Sequence, residues 1–444
     1  MKGVEATEGV DGIGASNGDL IFFFLAGLLV FLLVMTAPVS GQAPDWGFTV
    51  GREYVSSSDI SSDGSLVIAG TTMGKVHLFD GDGDLLWTGR IPGRLITRIS
   101  PDSSFFIVGS QESLEKNKGA VRCYDRNGTQ LWRDITGWVT DIDFSVDAGK
   151  LVVGTRMGDV IVFDSNGNRL GAYNDFPKTY VVNGVGISGD GTRIAYSLCE
   201  RKPALEVVTV SNGIRKISSR VENSYLIDNI KISDDGKCIV TESGEGTISE
   251  LSFFDSNAKK IWSKSLSRIN DIALTEDGGL VLAASEDSHL RVFSSSGDPV
   301  WNFSRTGAIT ALSINLDQGL IASGSGDGNI DVLNLSGDLM WSFLVERFPE
   351  SRITDVRISS DGDSVIAVVN DKEILYYSLV ACETAGKALE EAPKPLNTIV
   401  EMMEEEDDVC EIDPFSLVDQ NHSLWNLGEV HFFQANQNQR FLDL

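Results

Sequence analysis

A pattern that recurs every 39 to 45 residues constrains this chain more than any other feature, because a chain of repeats must build one structural unit many times. Each unit carries the marker Ile-Ser-x-Asp-Gly or a close variant of it. The marker aspartates are Asp63, Asp102, Asp147, Asp190, Asp235, Asp277, Asp317 and Asp361. The chain therefore contains eight units.

The residues around each marker predict β-strands. An apolar residue precedes every marker aspartate by three positions, and in six units the residues five and eight positions before it are apolar as well. Short runs rich in β-branched residues, such as "LVIAG" and "LVLAAS", follow the markers and predict strands that are buried on both faces. Four short strands in a unit of this length are typical of a β-propeller blade.

A second recurring stretch, "FDGDGDLLW" at residues 79–87, predicts a tight turn between the third and fourth strands. Its alternating aspartates resemble a calcium loop, but Leu85 and Ile91 stand where such a loop requires Gly and Glu. Later copies vary the acidic residues and keep the apolar ends. We therefore predict no metal site, and we predict that the following residues form turns or dock one blade on the next: Trp46, Asp80, Gly83, Trp87, Asp125, Gly128, Trp132, Asp255, Trp262, Gly297, Trp301, Gly337 and Trp341.

The two ends of the repeat region predict how the ring closes. The eighth unit ends at residues 373–380 without a Trp strand, whereas an unpaired "DWGFTV" stands at residues 45–50, before the first unit. If this N-terminal strand completes the last blade, every blade has four strands. The predicted fold is thus an all-β, eight-bladed propeller over residues 45–380, which the N-terminal strand closes.

The units resemble the repeats of pyrroloquinoline-quinone-type propellers, in which Asp, Gly and Trp mark the turn and the docking of the outermost strand. They also resemble WD repeats, since Phe-Asp at 79–80, 163–164 and 254–255 stands where that family has Trp-Asp. The Gly-His pair of WD repeats is absent, and the quinone-type spacing is one residue shorter here. The resemblance implies a propeller fold, and anchored propellers of this prokaryotic, archaeal type face outward.

The N-terminal region contains an acidic tail at residues 1–19 and an uncharged apolar stretch at residues 20–39. Twenty apolar residues in a helix span a ~30 Å hydrocarbon core, so we predict a single-pass membrane anchor within residues 20–40. A cleaved signal peptide is the alternative, because "VSGQA" at 39–43 offers small residues for cleavage. The propeller is then either held at the cell membrane, facing outside, or secreted. Four glycosylation sequons are compatible with both locations, at the cell surface or secreted: Asn127, Asn302, Asn334 and Asn421.

Residues 381–444 have no strand pattern, and their acidic composition predicts a largely disordered tail. The formal charge of −28 argues against a nucleic-acid partner, because an acidic surface releases no counterions from a polyanion. Five widely spaced cysteines predict no disulfide framework. We expect Cys123, Cys199 and Cys238 to be small core residues.

Motifs for catalysis are missing from the repeats. The "GASNG" stretch at 14–18 fits a nucleophile elbow but lies before the apolar segment with no partner His nearby. His77 and His289 fall in third strands of different blades, where we expect local hydrogen bonds. We therefore predict a non-catalytic cell-surface module that binds or scaffolds a protein or glycan, without a cofactor. A quinone-dependent oxidoreductase is the alternative.

Overall fold

The repeated strand pattern folds into eight sheets. The structure is a computed structural model, and it describes residues 39–40, 43–113, 118–173, 180–199, 202–211, 214–315, 317–345 and 351–379. This architecture confirms the predicted eight-bladed, all-β propeller. The predicted anchor up to residue 38 and the tail at 381–444 lie outside the described residues.

Two short strands precede the repeats, β1 (Val39–Ser40) and β2 (Trp46–Thr49). Blade 1 contains β3 (Val55–Ile60), β4 (Leu66–Thr71), β5 (Lys75–Asp80) and β6 (Leu85–Arg90). Blade 2 contains β7 (Arg94–Ile99), β8 (Phe105–Ser113), β9 (Lys118–Asp125) and β10 (Gln130–Thr136). Blade 3 contains β11 (Val139–Phe144), β12 (Lys150–Thr155), β13 (Val160–Asp164) and β14 (Arg169–Tyr173). Blade 4 contains β15 (Val181–Ile187), β16 (Arg193–Cys199), β17 (Ala204–Ser211) and β18 (Ile214–Glu222).

The second half follows the same order. Blade 5 contains β19 (Ile227–Ile232), β20 (Cys238–Glu245), β21 (Ile248–Asp255) and β22 (Lys260–Ser267). Blade 6 contains β23 (Ile269–Leu274), β24 (Leu280–Ser285), β25 (His289–Ser294) and β26 (Pro299–Ser304). Blade 7 contains β27 (Ile309–Asn315), β28 (Leu320–Ser325), β29 (Asn329–Asn334) and β30 (Leu339–Leu344). Blade 8 contains β31 (Ile353–Ile358), β32 (Ser364–Val369) and β33 (Glu373–Ser378).

The first strand of each blade lies at the centre of the molecule. These strands contact one another in sequence from β3 to β31, and β31 contacts β3 again. We call the end of the propeller where the first strands begin the mouth face. The opposite end, which carries the marker aspartates and the turns after the third strands, is the turn face.

The second strands form the core between blades. Every residue of β4 is buried. Because side chains of a strand alternate between its two faces, Ile68 packs toward blade 2 while Val67 packs toward blade 8. This two-sided burial explains why the second strands are continuous apolar runs and why the pattern predicts them well.

The N-terminal strands lie on the last two blades. β2 pairs antiparallel with β33, with Trp46 opposite Tyr376, and is the fourth strand of blade 8. β1 pairs parallel with β30, with Val39 opposite Trp341, so it adds a fifth strand to blade 7. Within the described ranges, no helix has the length and apolar character that crossing a bilayer requires.

His77 packs against the N-terminal strand and makes no local hydrogen bond, contrary to the prediction from sequence. Its ring lies 5.0 Å from the ring of Phe48 in β2 and 6.2 Å from that of Phe79, and the side chain is 8% exposed. Both ring nitrogens are buried without a partner among the described residues. His289 does have a local contact, since its Nδ1 lies 2.8 Å from the Asp287 carbonyl oxygen.

Burial of the neutral ring predicts a pH-dependent stability. Desolvation, followed by the charge of Lys75, lowers the pKa of His77, while Glu53 opposes that shift. In the unfolded chain a His titrates near ~6.5, so the unfolded state takes up a proton first as the pH falls below that value. We expect His77→Phe to reduce the fall in melting temperature between pH 7.5 and pH 5.5. His289→Phe is the matched control, and equal slopes for H77F and wild type would contradict the prediction.

Candidate functional site

The turns after the third strands use their aspartates for the backbone. Asp80 Oδ1 accepts the backbone N–H groups of Asp82 and Asp84 at 3.1 and 2.8 Å. Asp125 and Asp255 accept two N–H groups each in the same way. These carboxylates close Asx-type turns.

In five of these turns the glycine packs against a tryptophan from the preceding blade. Gly83 has a φ of 89°, and a Cβ built there would lie 2.6 Å from Cγ of Trp46. The Nε1 of Trp46 donates to the Gly81 carbonyl oxygen at 2.9 Å. Both the backbone conformation and the close approach of the indole therefore exclude a side chain at this position. The same packing on glycine occurs for Trp87 on Gly128, Trp132 on Gly167, Trp262 on Gly297 and Trp301 on Gly337.

Trp341 differs from the other tryptophans. The third and fourth strands of blade 8 come from opposite ends of the repeat region, so no turn joins them and no glycine receives its ring. Trp341 instead packs on the core between blades 7 and 8, and its backbone pairs with Val39. Gly167 was not among the predicted docking residues, although "FDSNGNRLG" carries the same turn sequence.

The central channel is lined by residues four and six positions before the marker aspartates. Several are aspartates that accept a backbone N–H from the next blade, at 2.8 to 3.1 Å. The pairs are Asp59 with Ile99, Asp141 with Val185, Asp143 with Ile187 and Asp271 with Leu312. These carboxylates satisfy N–H groups on the inner edge of the sheets, where no further strand exists to pair with them.

Burial shifts the proton affinity of these channel groups. Desolvation raises the pKa of Asp143 to about 6; the charge of Lys231 opposes this rise and that of Asp141 adds to it. Desolvation likewise raises the pKa of Asp59 and of Asp271, against the charges of Arg98 and Lys231 respectively. The Asp355 carboxylate, 3.2 Å away, raises the pKa of Arg357. The channel thus combines partly desolvated carboxylates with three cations.

A β-bulge near the start of the first strand turns polar side chains toward the mouth face. The pairing register shifts there in seven blades, seven positions before the marker aspartate. The residues at this position are Ser56, Thr140, Asn183, Asp228, Asn270, Thr310 and Thr354. Three of them donate to a carbonyl oxygen of the next blade, namely Ser56 to Leu95, Asn270 to Ile309 and Thr310 to Ile353.

Blade 2 lacks the bulge. β7 pairs with β8 without a register shift, and its exposure alternates along the strand. Leu95 is buried at the position that holds a polar residue in the other blades. Arg94, Ile96 and Arg98 therefore lie on one side of the strand and line the channel mouth.

A cavity of about 770 Å³ opens at the mouth face beside blade 2. Its charged lining residues are Arg94, Arg98 and Arg357, together with Asp141, Asp355 and Asp371. The cavity is the candidate binding site, because it is concave and polar and combines residues from blades 1, 2, 3, 4 and 8. A cavity of about 520 Å³ on the turn face, lined by Asp45, Asp63 and Ser378, marks where the chain enters and leaves the propeller.

The lining of the channel does have a signal in the sequence. The residues four, six and seven positions before the marker are mostly polar between apolar neighbours. Of the predicted core cysteines, Cys123 is buried, whereas Cys199 and Cys238 are only partly buried.

Comparison with known proteins supports the repeat assignment. The family model described as outer membrane protein assembly factor BamB matches residues 39–174 and 221–402. A protein of that name from Nitrosomonas eutropha is 26% identical over 137 residues, which are 30% of this chain and 32% of the relative. The match thus spans about a third of that relative's length. The predicted likeness to quinone-type repeats is confirmed.

Solved structures show the same fold. Sqt1 from Chaetomium thermophilum has a TM-score of 0.62 at 14% identity, over 76% of this chain and 98% of that one. The computationally designed protein Ika8 has a TM-score of 0.60 at 14% identity, over 77% of this chain and 99% of that one. The C-terminal WD40 domain of Sif2 has a TM-score of 0.59 at 14% identity, over 76% and 99%. At these identities the likeness concerns the fold alone.

Removing the Trp46 indole tests whether β2 stabilises the ring. Trp46→Ala removes an indole that is half-buried between blades, and we expect it to lower the free energy of unfolding by about 2–3 kcal/mol. Urea denaturation followed by circular dichroism measures this loss. Trp87→Ala, which removes the same contact between blades 1 and 2, is the matched control. A loss below about 0.5 kcal/mol for W46A beside a full loss for W87A would show that β2 does not hold the ring.

Neutralising Asp143 tests the electrostatics of the channel. A raised pKa means that Asp143 stabilises the fold fully at low pH and loses this contribution as the pH rises through about 6. Asp143→Asn keeps an acceptor for the Ile187 N–H and should add about 1 kcal/mol of stability at pH 7.5, and little at pH 4. Asp147→Asn is the control. The hydrogen bond from Ser145 lowers the pKa of Asp147, so replacing this carboxylate should destabilise the fold at pH 7.5. A destabilised D143N at pH 7.5 would contradict this assignment.

Proposed function

The chain belongs to the family of the outer membrane protein assembly factor BamB, and from this membership we propose that it is a non-catalytic propeller that binds a protein partner at the cell envelope. The observation that carries the proposal is the family match, which extends over both halves of the repeat region. A protein partner is favoured over a glycan, because the named relative is an assembly factor for outer membrane proteins.

The use of the channel residues supports a non-catalytic role. Asp59, Asp143 and Asp271 each accept a backbone N–H from the next blade, so their carboxylates serve the ring itself. His77 is enclosed by aromatic rings and lies away from the mouth cavity. A general acid or base must instead reach a reacting group directly or through one water molecule.

The alternative, a quinone-dependent oxidoreductase, has less support. The sequence holds no pair of adjacent cysteines of the kind on which many such enzymes stack the cofactor. The short units of 39 to 45 residues also leave little chain for loops that could enclose a quinone.

The path of the chain supports an orientation for the anchored protein. We infer that residues 20–39 hold the propeller at the membrane, facing outward, and that β2 closes the ring by pairing with β33. Asp45 and Ser378 both line the cavity on the turn face, and the backbone N–H of Ser378 donates to Asp45. Asp45 and Ser378 thus lie at the turn face, and we propose the opposite mouth face as the one that meets partners.

Crosslinking of the full chain in intact source cells tests this proposal. We expect a protein of the envelope to be captured reproducibly and identified by mass spectrometry. Gly128→Val is the control, because its side chain would collide with Trp87 and disrupt the docking of blade 1 on blade 2, so the capture should be lost. Absence of any captured protein, together with dye reduction after addition of pyrroloquinoline quinone and calcium, would favour the oxidoreductase instead.

A further inference from the structure

We propose that the mouth cavity binds an extended acidic segment of the partner polypeptide, whose carboxylates pair with Arg94 and Arg98. This inference rests on the proposed function, since it names the surface and the chemistry by which the partner is bound. It follows from the hydrogen-bonding state of the lining residues, their spacing on β7 and their position in the propeller.

The arginines of the cavity have donors to spare. Arg94 is exposed at the start of β7, and its side chain makes no hydrogen bond or ion pair within the described part of the chain. Arg98 uses only Nη1, which donates to the Thr97 carbonyl oxygen at 3.0 Å and to Ser57 Oγ at 3.4 Å. The remaining N–H groups of both guanidinium ions are positioned for a planar, two-oxygen acceptor such as a carboxylate.

Two of the three carboxylates in the same cavity, Asp141 and Asp355, already accept hydrogen bonds within the protein. Asp141 accepts the backbone N–H of Ile142 on Oδ1 and that of Val185 on Oδ2. Asp355 accepts from Ser58 on Oδ2, and its Oδ1 lies 3.2 Å from Arg357. A ligand therefore meets guanidinium donors without a protein partner beside two carboxylates that already accept hydrogen bonds, which favours an anion; the third carboxylate of the lining, Asp371, is exposed.

The regular geometry of β7 sets the spacing of the two donors. Because blade 2 lacks the bulge, Arg94 and Arg98 stand on the same side of one strand with Ile96 between them. Four residues of strand span roughly 13 Å. An extended peptide with two acidic side chains four residues apart and an apolar residue midway matches this arrangement.

The charge of the whole chain makes this site selective. With a formal charge of −28, most of the surface repels an acidic segment, and the paired arginines supply a local exception. The mouth face also lies opposite the cavity that contains Asp45 and Ser378, where the chain enters and leaves.

Fluorescence anisotropy with a labelled peptide tests the site on the full chain. The probe is fluorescein-Gly-Ser-Glu-Thr-Leu-Thr-Glu-Ser-Gly, and the control probe carries Gln in place of both Glu residues. We expect the Glu peptide to bind and the Gln peptide to bind at least about tenfold more weakly, because charge-assisted hydrogen bonds are lost.

Arg94→Gln and Arg98→Gln should each weaken binding of the Glu peptide by about tenfold. Arg126→Gln is the matched control, because Arg126 lies on the turn face, where it donates to Ser65 Oγ, and its replacement should leave binding unchanged. Because Arg94 is exposed, we expect R94Q to fold like the wild type. The R94Q measurement therefore tests the site even if R98Q melts at a lower temperature than the wild type. Equal binding by wild type, R94Q and R98Q would overturn the proposal, as would equal binding of the two peptides.

Two further measurements separate this inference from its alternatives. Citrate that competes at the same concentration as the peptide would overturn the assignment to a polypeptide in favour of a small polycarboxylate. If R94Q and R98Q crosslink to the partner in cells as the wild type does, the mouth is not the binding surface, while the proposed function stands. Crosslinking that is absent already in the wild type would instead refute the proposed function, whatever the peptide does.

Discussion

The inner edge of each sheet poses the constraint on which the rest of the propeller depends. A first strand pairs with the second strand on one side only, so its other edge presents N–H and C=O groups without a strand to bind. Here side chains of the neighbouring blade fill that role. Asp143 accepts the N–H of Ile187, and Asn270 donates to the carbonyl oxygen of Ile309. Eight separate sheets thereby become one ring around a polar channel.

The outer part of the ring is joined by a different interaction. An indole from one blade covers the turn glycine of the next, as Trp87 covers Gly128, and several indoles also donate to a carbonyl oxygen of that turn. This contact joins neighbouring blades at five of the turns between third and fourth strands, whereas the turn of blade 5 has Ala258 at the position of the glycine. Blade 8 has no such turn, because its strands come from both ends of the repeat region, and Trp341 packs on the core instead.

Blade 2 departs from the common pattern, and this departure places arginines at the mouth of the channel. In seven blades a bulge points a small polar residue at the mouth, where it can bind the next blade. The regular strand of blade 2 buries Leu95 and places Arg94 and Arg98 on the same side of β7. The surface that we propose for the partner therefore lies where the common bulge is absent.

The sequence by itself determined the eight blades and the short strands that build them. It could do so because the repeat length, the apolar runs and the turn residues such as Gly83 are local properties that recur. It also indicated that residues 79–87 form a tight turn between two strands. Only the tertiary structure decided which polar side chains face the channel, that His77 lies buried without a hydrogen bond, and that Arg94 and Arg98 share a cavity with Arg357. These outcomes depend on strand register and on contacts between blades 1, 2 and 8, and such long-range contacts leave no periodic trace in the chain.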